Sequence, residues 1–332
     1  MHKIWMTPMT ALGLWARNAE NLDIRKIPVG GQAVIEGVLM KGPDLWGLAV
    51  RQPDGRIFKD RWGSSSRTKS YPWKLPFLRG VVTMVEMMGT GFRALGKSAE
   101  VALGDSEEEL TKKDLCVAIV VGIAAVVGLF IALPLWLSEV TTNFFSLSAG
   151  ARNALEGVTR GVIFVAYVAV IGLWKDIEQV FRYHGAEHKT INAFEDMVFE
   201  EMALEGMAFK DMASEGTDLE NALTPRIIAA KSRIHPRCGT SFLLIAILIG
   251  IAVFSVVGGG GILWRIGSRV ALLPLVVGIS YEIIRLASKS GFVGRLLMAP
   301  VLSLQYLTTR EPDLGQIEIA LASLNVALRR EE

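Results

Sequence analysis

Charged residues in this chain are confined to stretches that alternate with long uncharged apolar runs. Hydrophobic residues make up 51% of the 332 residues, and charged residues only 20%. A soluble protein spreads its charges over its whole surface, whereas a helix that crosses a bilayer needs about 20 consecutive, predominantly apolar residues. The segregation therefore predicts a mainly α-helical, polytopic membrane protein, and it makes the lipid bilayer the first expected partner.

We expect about four transmembrane helices, over 115–137, 158–176, 240–264 and 268–288. The first and the third contain no charged residue, and each is long enough to span a bilayer. Pro134 lies near the end of the first segment and has no backbone N–H to donate. We expect a neighbouring group to bind the carbonyl oxygen that this proline leaves without a donor.

Charged residues interrupt the second and fourth segments. Arg160 and Lys175 bound the uncharged part of the second, so flanking residues must complete the crossing. Glu282 and Arg285 lie three residues apart within the fourth, and we expect them to pair with each other or with other helices. In an alternative interpretation, 161–174 is a buried or re-entrant segment, which would move the C-terminus to the other side of the membrane.

The distribution of lysine and arginine predicts the orientation. These residues are numerous in 1–113, in 175–239 and in the tail from 287, and they are sparse in 138–157 and 258–269. Because cytoplasmic loops carry an excess of lysine and arginine, both termini and the 175–239 loop are expected on the cytoplasmic side of a plasma membrane. This balance disfavours the re-entrant alternative.

The parts outside the bilayer are expected to form an N-terminal tail (1–27), a small cytoplasmic β unit (28–66), an interfacial or re-entrant helix region (77–113), a cytoplasmic loop (177–239) and an amphipathic cytoplasmic tail (289–332). The turn sequence Pro53-Asp54-Gly55 predicts a hairpin in the β unit, which is too small to be stable unless it packs on another element. Residues 201–234 are expected to be a flexible insertion with some helix. In the tail, the spacing of apolar residues predicts an amphipathic helix that docks on the cytoplasmic layer or the membrane surface through Ile317, Leu321, Leu324 and Leu328.

Composition disfavours two classes of protein. The net charge is only +2 and no basic patch contains interleaved aromatic residues, so we expect no nucleic-acid partner. The chain has two cysteines, Cys116 and Cys238, which excludes a disulfide-rich scaffold, and in a reducing compartment these two are not expected to pair.

The sequence Tyr-His-Gly-Ala-Glu-His at 183–188 is the first candidate site. On a helix, offsets of three, four and eleven residues place four side chains on one face: His184, Glu187, His188 and Glu195. The H-x-x-E-H arrangement matches the inverted zincin motif, in which two histidines bind zinc and the glutamate activates water. The motif is expected on a helix that runs straight on from the second transmembrane segment, so the site is expected near the lipid headgroups.

The sequence His-Pro-Arg-Cys-Gly at 235–239 is the second candidate site. Proline favours a loop at His235, whereas Cys238 is expected at a helix N-terminus, where the dipole favours the thiolate. His184, His188, His235 and Cys238 offer the ligand types that zinc prefers. Four ligands would close a structural site, whereas three would leave room for water with Glu187 or Glu195 as the base. In the alternative without a metal, the histidines pair with Glu187, Glu195 and lipid phosphates.

Four separated sequences carry a resemblance to a known family: GGQAVIEGVLMKGP at 30–43, YHGAEHKTINAFE at 183–195, HPRCGTSFLL at 235–244 and LTTREPD at 307–313. The chain from Gly30 onward resembles the YqhQ-like, DUF1385 family of bacterial membrane proteins. The resemblance implies a bacterial inner-membrane location and a predicted metal-dependent enzyme, and it implies no substrate. Residues 200–231 are longer than the family leads us to expect. The site residues that the resemblance implies are His184, Glu187, His188, His235 and Cys238.

Three functions are consistent with these features. The first is a metal-dependent hydrolase that uses zinc at the cytoplasmic face. The second is a non-catalytic membrane assembly or scaffold factor with a structural metal or none, associated with a protein partner or with further copies of itself through its membrane helices. The third is a small transporter, because Glu282 and Arg285 are polar groups within an apolar segment. No internal repeat supports the third function.

Overall fold

The computed structural model describes residues 29–104, 112–205, 223–236, 238–257, 261–287 and 292–328. The expected N-terminal tail and the middle of the expected insertion lie outside the described residues. The strands are β1 (Gly30–Val34), β2 (Gly37–Lys41), β3 (Leu45–Arg51) and β4 (Ile57–Gly63). The α-helices are α1 (Leu78–Leu103), α2 (Lys112–Val127), α3 (Leu133–Phe145), α4 (Ala149–Ile171), α5 (Lys175–Glu205), α6 (Pro225–Ala229), α7 (Gly239–Val256), α8 (Ile262–Ala287), α9 (Phe292–Thr308) and α10 (Leu314–Leu328).

The β unit is an antiparallel sheet in the order β1-β2-β3-β4. The turn at Pro53-Asp54-Gly55 lies between β3 and β4, as the sequence predicts. Both faces of the sheet are covered, because side chains alternate along each strand. Val38 and Met40 point to a core shared with α5 and α10, whereas Leu39 and Leu48 point to a second core that includes Ala94 of α1. The sheet therefore packs on other elements on both faces, as expected for so small a unit.

Helix α10 is the central element of this layered unit. It packs on β2 and β3 on one side and on α5 on the other. Gly47 of β3 permits the close approach, because a Cβ atom there would overlap the backbone carbonyl oxygen of Ser323. The expected amphipathic helix is therefore present, and it packs on the neighbouring sheet and α5, which was one of the two docking places expected for it. Small and apolar residues continue round the helix, and the buried set is Gln316, Ile317, Ile319, Ala320, Ala322, Ser323, Leu324 and Ala327.

Within the described residues, four helices are long and apolar enough to cross a membrane: Val120–Phe145, Gly150–Ile171, Gly239–Val256 and Leu263–Ala287. We call these four helices the apolar bundle. Their bounds differ from the sequence-based expectation at several ends. The first helix extends to Phe145 and so includes Glu139, the second begins at Gly150 and so includes Glu156, and the third already ends at Val256. A search for uncharged runs in the sequence excludes such residues. In the folded chain, the guanidinium groups of Arg265 and Arg269 in α8 pair with the carboxylate of Glu156.

Pro134 occupies the position that the sequence suggested, with the expected consequence. A π-helical turn, Gly128–Ala132, joins α2 to α3. The carbonyl oxygen of Phe130, which a residue at position 134 would normally bind, accepts a hydrogen bond of 2.8 Å from Nε of Arg160. A side chain of a neighbouring helix therefore satisfies the carbonyl that the proline leaves without its helical donor.

One sequence-based expectation about the ends of these helices is wrong. The helix that carries His184 does not run straight on from the second apolar helix, because α4 ends at Ile171 and a turn through Leu173 and Trp174 precedes α5.

Of the two expected pairings of Glu282, the one with another helix is present. Its carboxylate binds the guanidinium of Arg79, at the start of α1, through both oxygens. The planar guanidinium fits a carboxylate with two parallel hydrogen bonds. Arg79 therefore attaches α1, which packs against the sheet, to the apolar bundle.

Candidate metal centre

Helix α5 carries His184 and His188 one turn apart on the same face. Their ring centroids lie 4.4 Å apart, as the i, i+4 spacing predicts. The helix is fixed in place because Tyr183, Ala186 and Phe194 belong to the hydrophobic core that α5 shares with the sheet and α10. The two imidazoles are therefore positioned by a part of a helix that is packed against the sheet and α10, and not by a loop.

The second motif meets these histidines at the start of α7. Cys238 is the N-cap of that helix, and its sulfur accepts a hydrogen bond of 3.4 Å from the backbone N–H of Thr240. His235 lies outside regular structure, as the following proline suggested. Gln305 of α9 holds the backbone of His235 by accepting from its N–H at 2.9 Å and donating to its carbonyl at 2.7 Å.

Three ligand atoms converge between these elements. One nitrogen from each of His184 and His188 and the sulfur of Cys238 all lie within 4.8 Å of one another. Nε2 of His184 is 3.2 Å from Sγ of Cys238. Imidazole nitrogen and thiolate sulfur are the preferred ligands of zinc, and three of them at this spacing can hold one ion. The donor set therefore fits a zinc ion and supplies three of the four ligands of a tetrahedral site.

Backbone carbonyls fix the orientation of both rings. Nδ1 of His184 lies 2.8 Å from the carbonyl oxygen of Thr308, and Nδ1 of His188 lies 2.7 Å from that of Arg233. A carbonyl oxygen can only accept, so each Nδ1 carries the proton and each Nε2 has a free lone pair when the ring is neutral. Metal-binding histidines commonly donate their other N–H to such a carbonyl.

Nε2 of His188 is the most informative single atom of the site. The residue is 1% exposed, and this nitrogen makes no hydrogen bond with any residue that the structure describes. Buried polar atoms are nearly always hydrogen-bonded, because leaving one without a partner costs about 1–3 kcal/mol. A ligand that accepts the lone pair of this nitrogen would remove that cost, and a metal ion is such a ligand.

Glu187 lies beside the three ligands. One carboxylate oxygen is 3.9 Å from Nε2 of His184, and the side chain is 5% exposed. Burial raises the pKa of the Glu187 carboxyl, although the nearby imidazoles of His188 and His184 oppose the shift. A glutamate with a raised pKa accepts and holds a proton more readily than an exposed one, as a general base must.

Cys238 and His184 each stabilise the charged form of the other. Burial opposes ionisation of Cys238, but the imidazoles of His188 and His184 outweigh it and hold the pKa of the thiol well below its usual range. For His184, burial opposes protonation, but the Cys238 thiolate and the Glu187 carboxylate raise its pKa to about 9. Without a metal, the pair is therefore a thiolate and an imidazolium near neutral pH.

His235 and Glu195 form a separate contact next to this group. Nε2 of His235 lies 3.4 Å from a carboxylate oxygen of Glu195, and its ring centroid is 5.8 Å from that of His188. Burial lowers the pKa of His235 and so favours the neutral ring. His235 is adjacent to the three converging ligands but is not one of them.

The two candidate sites read from the sequence omit several groups that shape the site. The carbonyls of Thr308 and Arg233 orient the histidines, and Gln305 holds His235, although none of these residues is acidic, sulfur-containing or a histidine. Two signals were available: Thr308 lies in the LTTREPD sequence that supports the family resemblance, and Gly185 lies in the first motif. This glycine lies within a helix, where glycine is disfavoured, and a Cβ atom there would overlap the carbonyl oxygen of Arg310. The LTTREPD sequence thus lies directly against the first motif.

Comparison with known proteins places these motifs in a wider group. A family model described as a protein of unknown function (DUF1385) matches residues 75–208 and 216–330. The chain is 32% identical over 324 residues to the uncharacterized protein YqhQ of Bacillus subtilis (strain 168). The aligned region covers 92% of this chain and 94% of that protein. No solved structure matches the chain. Neither description names an activity, a metal or a substrate, so these similarities do not support the metal-dependent enzyme that the resemblance implied.

Proposed function

The chain belongs to the DUF1385 family, and we propose that it is an integral membrane protein whose His184, His188 and Cys238 bind zinc in a hydrolytic site. The observation that carries the proposal is the convergence of three ligand atoms within 4.8 Å of one another. The carbonyl contacts on both Nδ1 atoms support it, since they leave each Nε2 available to a metal.

The proposed location is a bacterial inner membrane, with the zinc site and both chain termini on the cytoplasmic side. The four helices of the apolar bundle support insertion by their length and composition. The abundance of lysine and arginine in 1–113, 175–239 and the tail from 287 supports the orientation. The site would then lie at the membrane surface, because Cys238 immediately precedes the third helix of the bundle.

Each residue of the proposed site has a distinct role. Bound zinc would act as a Lewis acid towards water and the substrate. Glu187 is the proposed general base, since its carboxylate lies 3.9 Å from a ligand nitrogen and its pKa is raised by burial. Glu195 orients His235, and we propose that this pair acts as a second proton carrier beside the site.

A structural zinc site is the second candidate function. Nε2 of His235 is buried and makes no hydrogen bond with a described residue, so a small rotation of its ring would offer a fourth ligand. A closed four-ligand site would attach the loop before α7 to α5 and would suit a non-catalytic assembly or scaffold factor. The two functions differ in whether the metal has an open coordination position.

Cobalt substitution distinguishes these functions. We expect the full-length protein, purified in detergent and loaded with Co²⁺ in place of zinc, to show thiolate-to-cobalt charge-transfer absorption. If the site is open, added azide changes the visible cobalt spectrum, because azide occupies the free position. Glu187→Gln should retain one metal per chain and still bind azide.

Each outcome favours one assignment. An unchanged spectrum in azide, together with loss of tetrahedral cobalt absorption in His235→Gln, supports the closed structural site and contradicts the hydrolase. A spectrum that responds to azide and persists in His235→Gln supports the open site. Failure of the wild-type protein to bind cobalt or zinc contradicts both functions.

A further inference from the structure

A second polar cluster lies at the end of the apolar bundle opposite the His184 and Cys238 site. The metal ligands lie beyond the C-terminal end of α4 and at the N-terminal end of α7. At the other end of both helices, the amide of Asn153 in α4 donates to the carbonyl of Phe254 in α7 and to that of Val257, the residue after α7. We call the group around Asn153 the arginine cluster, and its charged members are Glu139, Arg152, Glu156, Arg160, Arg265 and Arg269.

Glu156 is the centre of the arginine cluster. Its side chain is 2% exposed, and its two oxygens accept hydrogen bonds of 2.8–3.1 Å from three guanidinium groups, those of Arg160, Arg265 and Arg269. One carboxylate therefore faces three permanent positive charges. Arginine cannot lose its proton in a protein, so deprotonation does not relieve the excess.

The second carboxylate does not restore the balance. Glu139 accepts from Arg265 at 2.7 Å and lies 3.8 Å from Arg152. Among the described residues at this end of the bundle, four arginines face two glutamates, which leaves two positive charges in excess. The ring of Phe254 lies 5.2 Å from the guanidinium of Arg269 and 5.9 Å from that of Arg160, and such contacts offset only part of a full charge.

Two donors of the cluster remain open. Nε of Arg152 and Nε of Arg265 are buried and have no hydrogen-bond partner among the described residues. Arg265 is only 3% exposed, so water does not readily replace the missing acceptor. An unpaired charge in a medium of low dielectric constant is costly, and ionisable residues within apolar helices generally mark a functional site.

We propose that the arginine cluster binds a phosphate group carrying about two negative charges, either a free phosphate ion or the phosphomonoester of a lipid headgroup such as that of phosphatidic acid. Such a group balances the excess charge, and the planar fork of a guanidinium matches the geometry of phosphate oxygens. Access is between Arg152 and Glu139, whose side chains are 18% and 50% exposed. The open Nε donors of Arg152 and Arg265 are the proposed first contacts.

The free ion and the lipid offer the same phosphate oxygens to the arginines, so an experiment must distinguish the two ligands. Thermal unfolding of the full-length protein in phospholipid-free detergent is followed in sodium phosphate or in sodium chloride at equal ionic strength. A second series uses short-chain phosphatidic acid, with short-chain phosphatidylcholine as its reference. The variants are Arg152→Gln, Arg265→Gln and, as a matched control, Arg182→Gln, whose side chain on α5 is 40% exposed and lies outside the bundle.

We expect the wild-type midpoint to rise saturably in at least one series. Arg152→Gln should need at least about tenfold more ligand, since it loses a hydrogen bond to a charged group, and Arg182→Gln should behave as the wild type. A response to inorganic phosphate assigns the free ion, and a response to phosphatidic acid alone assigns the lipid headgroup. If Arg265→Gln fails to fold, the response of Arg152→Gln, which changes a more exposed position, still tests the proposal. No saturable response in either series, or equal responses of the wild type and Arg152→Gln, overturns the proposal.

Discussion

At the scale of single residues, two backbone carbonyls determine which nitrogen of each histidine faces Cys238. The oxygens of Thr308 and Arg233 accept from Nδ1 of His184 and His188 and so direct both Nε2 atoms to one point. The carbonyls belong to segments that are remote in sequence from α5. The ligand geometry therefore depends on the positions of α9 and of the loop before α7 as much as on the helix that carries the histidines.

Cys238 should be ionised at neutral pH in the metal-free protein. Because the imidazoles lower its pKa, the thiolate persists to a lower pH than that of an ordinary cysteine, which ionises near pH 9. Thiolate absorbance at 240 nm, measured as the difference between wild type and Cys238→Ser, should already be present at pH 7 and should disappear only on further acidification. Cys116→Ser is the matched control, and it should retain this absorbance. A thiolate signal that first rises between pH 8 and 9.5 would contradict the assigned environment of Cys238.

Gly185 should not tolerate even a methyl group. In Gly185→Ala, the new Cβ must displace the backbone at Arg310, and we expect a loss of about 2 kcal/mol or more in the free energy of unfolding. Gly96→Ala in α1 is the control, because open space surrounds that position and alanine favours a helix interior by about 0.5–1 kcal/mol. The midpoints of thermal unfolding of the two variants are compared. Equal midpoints would contradict the close packing of α5 against the LTTREPD segment.

At the scale of elements, α1 connects the sheet to the apolar bundle. Ala94 packs in the core beneath the sheet, and Arg79 binds Glu282 of α8. Apolar side chains of α1 that face neither partner are exposed, among them Val85, Met88 and Phe92. This pattern suits the proposed interfacial position, in which such residues contact lipid.

A double-mutant cycle tests the connection between α1 and α8. We expect a coupling energy of about 1–3 kcal/mol between Arg79→Gln and Glu282→Gln, because the two side chains are mostly buried and bind through two hydrogen bonds. The control cycle pairs Glu282→Gln with Arg285→Gln and should give a smaller coupling. Unfolding midpoints of the single and double variants provide both values. A larger coupling to Arg285 would instead favour the pair within one helix.

The same elements show what sequence patterns can and cannot predict. Local patterns located the small β unit and its hairpin turn, the apolar helices and the one-face arrangement of His184 and His188, because these features depend on neighbours within a few residues. Pairing of Glu282 with another helix was one of the two expectations, but the sequence did not identify the partner, because Arg79 is distant in sequence and only the folded chain brings it near. The burial of α10 on several sides also escaped prediction, since four spaced apolar residues describe one face of a helix and not the sheet that covers it.

At the scale of the whole molecule, two polar centres lie at opposite ends of one apolar bundle. The sequence motifs identified the residues of the proposed zinc site, since histidine and cysteine are rare in this chain. The arginine cluster was not predicted, because its charges interrupt apolar runs and counted only as boundaries of those runs. Sequence hydropathy cannot distinguish a charge that ends a helix from a charge that is neutralised within a bundle.

Reporter fusions test the proposed orientation. If the four helices of the bundle cross the membrane with both termini inside, alkaline phosphatase fused after Ser146 should be active, because it reaches the outer side. Green fluorescent protein fused after Glu332 should fluoresce in the cytoplasm. The control fusions exchange the two reporters, with green fluorescent protein after Ser146 and alkaline phosphatase after Glu332. An active phosphatase at Glu332 would contradict an arrangement with both termini inside.

The central claim is that His184, His188 and Cys238 hold one zinc ion, and the zinc content of the purified full-length protein tests it most directly. Protein prepared with a tag free of histidine and cysteine should contain about one zinc per chain. His184→Ala, His188→Ala and Cys238→Ser should lose it, whereas His2→Ala and Cys116→Ser should retain it. A folded wild-type protein without zinc, or retention of zinc by the first three variants, would contradict the account.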